Sequence, residues 1–101
     1  MPKKSLDGLT ESMFYVLMSL LKEDRCGTEM ADWVQARTKG RVRLGPGTLY
    51  NLLEQFLQAG YIQETKVEGR KRSYRITDAG RKALENEYHR LQSLTADYEA
   101  C

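Results

Sequence analysis

Apolar residues recur at helical spacing in four stretches of the chain, and at alternating spacing in a short segment between the third and fourth. The first stretch holds Met13, Phe14, Val16, Leu17, Leu20 and Leu21. Thr10 is placed to cap it, with Leu9 set to pack on Phe14 as a hydrophobic staple. Lys22-Glu23-Asp24-Arg25 is expected to end this helix in solvent. Its apolar arc is wider than a one-sided surface helix needs. Either the helix is central to the fold or part of it faces a partner subunit, and Tyr15 and Met18, off the main stripe, decide between the two. A second helix starts at Gly27-Thr28, carries Met30, Ala31, Trp33 and Val34 at 3–4 spacing and stops at Gly40. Trp33 reads as a packing residue, with a ligand-stacking role as the alternative.

The third stretch organises the rest. Gly45 is a permissive N-cap, Pro46 suits a first helical position, and Gly60 follows the last apolar residue where a left-handed conformation is wanted. Leu49, Leu52, Leu53, Phe56 and Leu57 fall on one face. Gly47, Asn51, Glu54, Gln55 and Gln58 fall opposite, with Thr48 and Tyr50 near the borders. That polar face has two readings: an ordinary solvated surface, or amide, hydroxyl and phenol groups that read base edges and grip phosphates.

Residues 61–67 and 72–76 then read as strands, with Tyr74 and Ile76 on one face and Ser73 and Arg75 on the other. Glu68 to Lys71 connects them, and Gly69 is suited to a positive φ there. Val42-Arg43-Leu44 is expected as a minor strand pairing with this hairpin. Thr77 caps a last helix from about Asp78 toward Tyr98. Its apolar stripe (Ala83 or Leu84, Tyr88, Leu91, Leu94 or Thr95, Tyr98) is a narrow seam of the kind that meets a partner helix; packing across its own domain is the alternative. The expected fold is mainly α with a small β-hairpin. A flexible arm over residues 1–8 leads into a winged helix-turn-helix over 9–77 and a C-terminal dimerisation helix over 78–101. Tyr15, Leu84, Tyr88, Leu91, Leu94 and Tyr98 are the expected dimer-interface residues.

Charge sharpens the reading of the hairpin. Lys66, Arg70, Lys71, Arg72 and Arg75 face a single acid, Glu68, so residues 66–75 carry a formal +4 while the whole chain carries only +2. Basicity is concentrated at one tip, which suits a phosphate backbone. The 101 residues suffice for one domain, and 41% hydrophobic with 30% charged residues is a globular composition. No apolar run reaches the ~18 residues of a membrane span, and no apolar stretch follows the basic N-terminal residues as a secretory signal would require. The expected location is therefore cytoplasmic. Cys26 and Cys101 lie far apart and form no C-x-x-C, and a single histidine, His89, leaves no zinc set. No cofactor, metal or catalytic group is expected.

Three segments together resemble the PadR-like transcriptional regulators: Gly47-Thr48-Leu49-Tyr50; Leu57-Gln58-Ala59-Gly60-Tyr61-Ile62; and Gly69-Arg70-Lys71-Arg72-Ser73-Tyr74-Arg75-Ile76-Thr77-Asp78-Ala79-Gly80. Each is weak alone, but in this order and spacing over residues 10–82 they are specific. The short C-terminal helix resembles the compact subgroup with a single dimerisation helix. The resemblance implies a homodimeric DNA-binding repressor, often relieved by a small-molecule effector. It places Thr48, Tyr50 and Asn51 at the start of the recognition helix and Arg70 to Arg72 at the wing tip, and it implies that Tyr74 supports the hairpin from within. In some compact members a flat aromatic ligand sits against a tryptophan on the last helix; here that helix carries Tyr88 and Tyr98 and no tryptophan.

The expected function is sequence-specific binding of double-stranded DNA at a roughly palindromic operator. Asn51 is the first choice for a base contact and Gln55 the second, with Thr48 and Tyr50 on phosphates and Lys66, Arg70, Lys71 and Arg72 along the backbone. The rival is a winged-helix module that binds protein instead, because the proposed recognition helix has no Lys or Arg and carries Glu54.

Overall fold

The computed structural model describes residues 8–101; residues 1–7 of the expected arm lie outside them. Four helices and three short strands follow in the order α1 (Glu11–Met18), β1 (Arg25–Cys26), α2 (Gly27–Arg37), α3 (Pro46–Ala59), β2 (Ile62–Glu68), β3 (Lys71–Ile76) and α4 (Asp78–Ala100). The strands form an antiparallel sheet of order β1-β3-β2. The architecture is the mainly helical winged fold expected.

Local chemistry sets the ends of these elements. The Thr10 hydroxyl accepts the Met13 N–H at 3.2 Å at the start of α1. Gly45 and Pro46 open α3, and Gly60 closes it with φ +78, a conformation that costs a residue bearing a Cβ. The side chains of α1, α2 and α3 meet at Leu17, Met30, Leu53 and Phe56, all but inaccessible to water. Tyr61, Ile62, Tyr74 and Ile76 close the core from the sheet side.

Three expectations need correction. Val42-Arg43-Leu44 is not a strand: Val42 is buried and its N–H bonds the Thr38 hydroxyl at 3.0 Å, so this backbone never lies beside the hairpin. Arg25-Cys26 takes that place, opposite Tyr74 and Ser73. The first helix stops at Met18, well short of Lys22. The Ser19 hydroxyl turns back to the Val16 carbonyl at 2.6 Å, and Leu20 and Leu21 continue in tight turns. Leu84, expected in the dimer seam, is buried in the chain's own core.

The wing is locked to α4 through Thr77. Its hydroxyl donates to the Gly60 carbonyl at 2.6 Å and accepts the Gly80 N–H at 3.1 Å, while its own N–H reaches the Tyr61 carbonyl at 2.9 Å. One residue thus ties the end of α3, the start of β2 and the start of α4 together. Farther along α4, Glu87 is a buried carboxylate that takes the Arg90 guanidinium and the Leu9 N–H.

Arg90's hydrogen bonds hold Glu87 below the usual carboxylate range, and the Cys26 N–H at 2.8 Å does the same for Glu29. A carboxylate whose pKa is depressed by folding adds stability above its unfolded pKa, and this is lost as pH falls through the folded value. Thermal stability is therefore expected to decline below about pH 4.3. Glu87→Gln should lower Tm at neutral pH and flatten that acid-side decline; thermal melts across pH that superpose on those of the wild type would contradict the assignment.

Candidate nucleic-acid interface

The α3 polar face is built by its buried one. Leu49, Leu52, Leu53 and Phe56 are anchored in the core, which fixes the rotation of the helix and turns Thr48, Tyr50, Asn51, Glu54 and Gln58 outward. Tyr50 is 62% exposed, an unusual position for a large aromatic with nothing to cover it. Gln55 is half-buried, so less of its amide is free than the helical wheel indicates. No side chain caps the N-terminus of α3, which leaves the N–H groups of its first turn open to an anion. Glu54 is engaged by Gln58 at 3.2 Å.

The hairpin turn carries Gly69 at φ +62 followed by Arg70, a two-residue loop whose strands each extend one residue nearer the tip than expected. The basic cluster is less uniform than its sequence. Lys66 pairs with Glu68 at 3.4 Å, Arg72 with Glu64 at 3.3 Å, and Arg75 with Asp24 at 3.2 Å. Among the described residues, Arg70 and Lys71 have no carboxylate within ion-pair distance, and both are exposed. These two cations are the freest to bind an external anion, while Arg72 must exchange one partner for another.

Tyr50, Arg70, Lys71 and Arg72 come together in one cleft of about 400 Å³, between the start of α3 and the wing. Its remaining wall is Cys26, Gly27 and Thr28 at the start of α2, with Tyr74 at the base. Thr28 and Gly27 escaped sequence reasoning, because nothing in the sequence shows that a two-residue strand lays this helix end against β3. Thr48 and Asn51 stand exposed on α3 outside the cleft, and Lys66 lies farther back along β2. Tyr74 is buried, as the resemblance implied. Burial pushes its phenol pKa up, with the nearby Glu64 charge adding to it, so it is a neutral prop for the wing.

The fold that carries this surface is shared with known proteins. The model of the transcriptional regulator PadR-like family matches residues 16–86. The chain belongs to that family. Its fold is shared with a transcriptional regulator from Clostridium thermocellum, at 22% identity over 87% of this chain and 89% of that one, with a TM-score of 0.78. A PadR family transcription regulator from Clostridium difficile superposes with a TM-score of 0.76, at 20% identity over 90% of this chain and 97% of its own. Bacillus subtilis PadR, solved in complex with operator DNA, matches with a TM-score of 0.64 at 19% identity, over 73% of this chain and 45% of that one. An uncharacterized 37.1 kDa protein of a Streptomyces fradiae transposon is 38% identical over 53 residues, and this PadR-like chain spans only 15% of its length.

The expected dimer residues separate into three groups. Leu84 belongs to the core. Tyr15 is half-buried and held locally: its phenol oxygen accepts from Arg41 at 3.0 Å, and the same guanidinium, also paired with Glu11, lies 5.7 Å from the ring centre. Tyr88, Leu91, Leu94 and Tyr98 form an exposed stripe along the second half of α4. Trp33 is half-buried on α2, flanked by Arg25 and Arg37 at 6.0 and 5.8 Å from its ring centre. Among the described residues, no helix is long and apolar enough to cross a membrane and no His/Cys/Asp/Glu group is placed to hold a metal.

Proposed function

We propose that this PadR-like regulator is a homodimeric repressor that binds a roughly palindromic operator with α3 in the major groove and the wing on flanking phosphate. The observation that carries the reading is the shared cleft: Tyr50 of α3 and the free cations Arg70 and Lys71 of the wing line one concave surface. A phosphate lodged there would be held by charge from the wing and by the Tyr50 hydroxyl, fixing the register of α3 on the duplex. Asn51, one residue farther along and exposed, then meets a base edge, where its amide pairs bidentately with adenine. Thr48 serves the backbone. Gln55, half-buried, makes a secondary base contact, and Lys66 and Arg72 add charge along the strand.

The exposed apolar stripe of α4 supports the dimer, because Leu91 and Leu94 in water on an otherwise polar helix are stabilised by covering them. Two such subunits read two half-sites about one helical turn apart. Release by a small-molecule effector is part of this proposal and rests on the family resemblance.

Selection from a random duplex pool tests the reading. The recovered sites should be two inverted half-sites, and Asn51→Ala should relax preference at one position per half-site by about 1–3 kcal/mol of discrimination. Recovery of single, unrelated sites, or an unchanged preference in the variant, would refute the assignment.

A further inference from the structure

Glu54 is the one charged side chain of α3, a helix with neither lysine nor arginine. It lies one turn beyond both Tyr50 and Asn51, so it stands on the face assigned to DNA, and it is exposed. Along the axis it is about 12 Å from the first residue of α3, comparable to the width of a major groove. The Gln58 amide donates to its Oε1 at 3.2 Å, which orients the carboxylate. Oε2 has no hydrogen-bond donor among the described residues, and no cation there lies within ion-pair distance of Glu54.

A carboxylate on a surface that meets DNA carries a cost, because phosphates flank the groove on both sides. The hairpin does not neutralise it: Arg72 is held by Glu64 and Lys66 by Glu68, while Arg70 and Lys71 line the phosphate cleft. The cost is offset only by a donor that the duplex supplies. An ionised carboxylate accepts hydrogen bonds and donates none. On the major-groove edge, cytosine presents its N4 amino donor and no acceptor. Guanine presents two acceptors, thymine an acceptor and a methyl group, and adenine an acceptor beside its donor. A carboxylate placed against any of these three meets a lone pair or a methyl group where water has been displaced. An amide such as Asn51 can turn either end toward a base; Glu54 has no such freedom.

We propose that Glu54 is a second base-reading residue of this surface: its Oε2 accepts the N4 amino group of a cytosine, and its charge excludes the other bases. The inference rests on the α3 reading above and adds a base to the operator. Asn51 and Glu54 are about 4.5 Å apart along the helix axis, between one and two base-pair steps. Each half-site should therefore hold a cytosine, on one strand or the other, within about two base pairs of the adenine paired with Asn51. Exclusion carries much of the discrimination, since a mismatched carboxylate is repelled as well as unpaired. The same charge weakens attachment to arbitrary sequence, so it raises the ratio of specific to non-specific binding.

The test is selection from a random duplex pool with the full-length wild type, Glu54→Gln and Glu54→Ala. The wild type should recover that cytosine. Glu54→Gln, whose amide pairs bidentately with adenine, should recover adenine in its place. Glu54→Ala should show no preference at that position, keep the Asn51 adenine and bind mixed-sequence duplex more tightly. The N4 group is then removed directly, by placing pyrimidin-2-one (cytosine without its amino group) in one half-site of the selected duplex. This change should weaken the wild type on the order of tenfold more than it weakens Glu54→Ala. A wild-type site with no cytosine there, a cytosine preference that survives Glu54→Ala, or an equal pyrimidin-2-one penalty in both proteins would overturn the role of Glu54 and leave the DNA reading standing. Recovery of no site by any of the three, with no salt-dependent binding to mixed duplex, would overturn both.

Discussion

Replacing Gly80 with alanine is expected to destabilise the protein by about 3 kcal/mol or more, the upper end of what overpacking costs. Gly80 is buried in the first turn of α4. A Cβ added there would collide with the Tyr61 carbonyl oxygen and stand 2.8 Å from Ile76 Cγ1. A flexible side chain could move aside, but the Tyr61 carbonyl is backbone and is already bonded to the Thr77 N–H. Relief requires α4 to lift from the sheet, which breaks the Thr77 latch and uncovers Leu84. Alanine ordinarily favours a helix over glycine, so a destabilised G80A has no explanation in propensity. Chemical denaturation of G80A beside Gly47→Ala checks this: Gly47 lies in the first turn of α3 with no atom near its added Cβ, and that substitution should be close to neutral. Equal midpoints for the two variants would contradict the close approach.

Removing the wing cations should have the largest effect on binding. Each phosphate contact contributes about 0.9 to the slope of log affinity against log salt. In the dimer each substitution occurs twice, so Arg70→Ala with Lys71→Ala should lower that slope by about 4 and weaken binding to any duplex by roughly three to four orders of magnitude near 0.1 M salt. Adding Arg72→Ala should contribute less than the first two, because Arg72 gives up its Glu64 partner when it meets a phosphate. Circular dichroism should be unchanged, since all three side chains are exposed. A slope equal to that of the wild type in titrations with mixed-sequence duplex would place the phosphate contacts elsewhere.

The elements legible in the sequence are those carried by periodicity and caps. Thr10, Gly45-Pro46, Gly60 and Thr77 mark helix ends because the chemistry of each is local to a few residues. The Tyr74/Ile76 alternation is likewise local, and its buried face agrees with the structure. Features set by distant parts of the chain were not legible. Arg25-Cys26 is a strand only because β3 lies beside it, and two residues have no period to detect. Val42-Arg43-Leu44 has the composition of a strand but is drawn inward at Val42 by Thr38. The tight turns after Met18 follow from the need to bring Arg25 to the sheet edge.

Charge behaved in the same way. Five cations around the hairpin read as one basic tip, yet Glu64, Glu68 and Asp24 each claim one of them. Asp24 is far from Arg75 in sequence, so that pairing is visible only in the fold. Glu87 shows the converse: on a helix rich in charged residues it reads as surface, but α1 and the Leu9 backbone cover it. Leu84 and Tyr88 sit one turn apart on the same stripe, and the fold buries the first in the core while the second stays exposed along a groove it lines with Phe14 and Trp33.

In the function proposed above, this PadR-like chain binds duplex DNA as a dimer through α3 and the wing. Its most direct test is titration of the purified protein into mixed-sequence duplex at two salt concentrations, with the mass of the free protein and of the complex determined alongside. The expected result is dimer mass and an affinity that falls steeply as salt rises. Absence of binding at the lower salt concentration would contradict it and would point to a protein partner for the exposed face of α3.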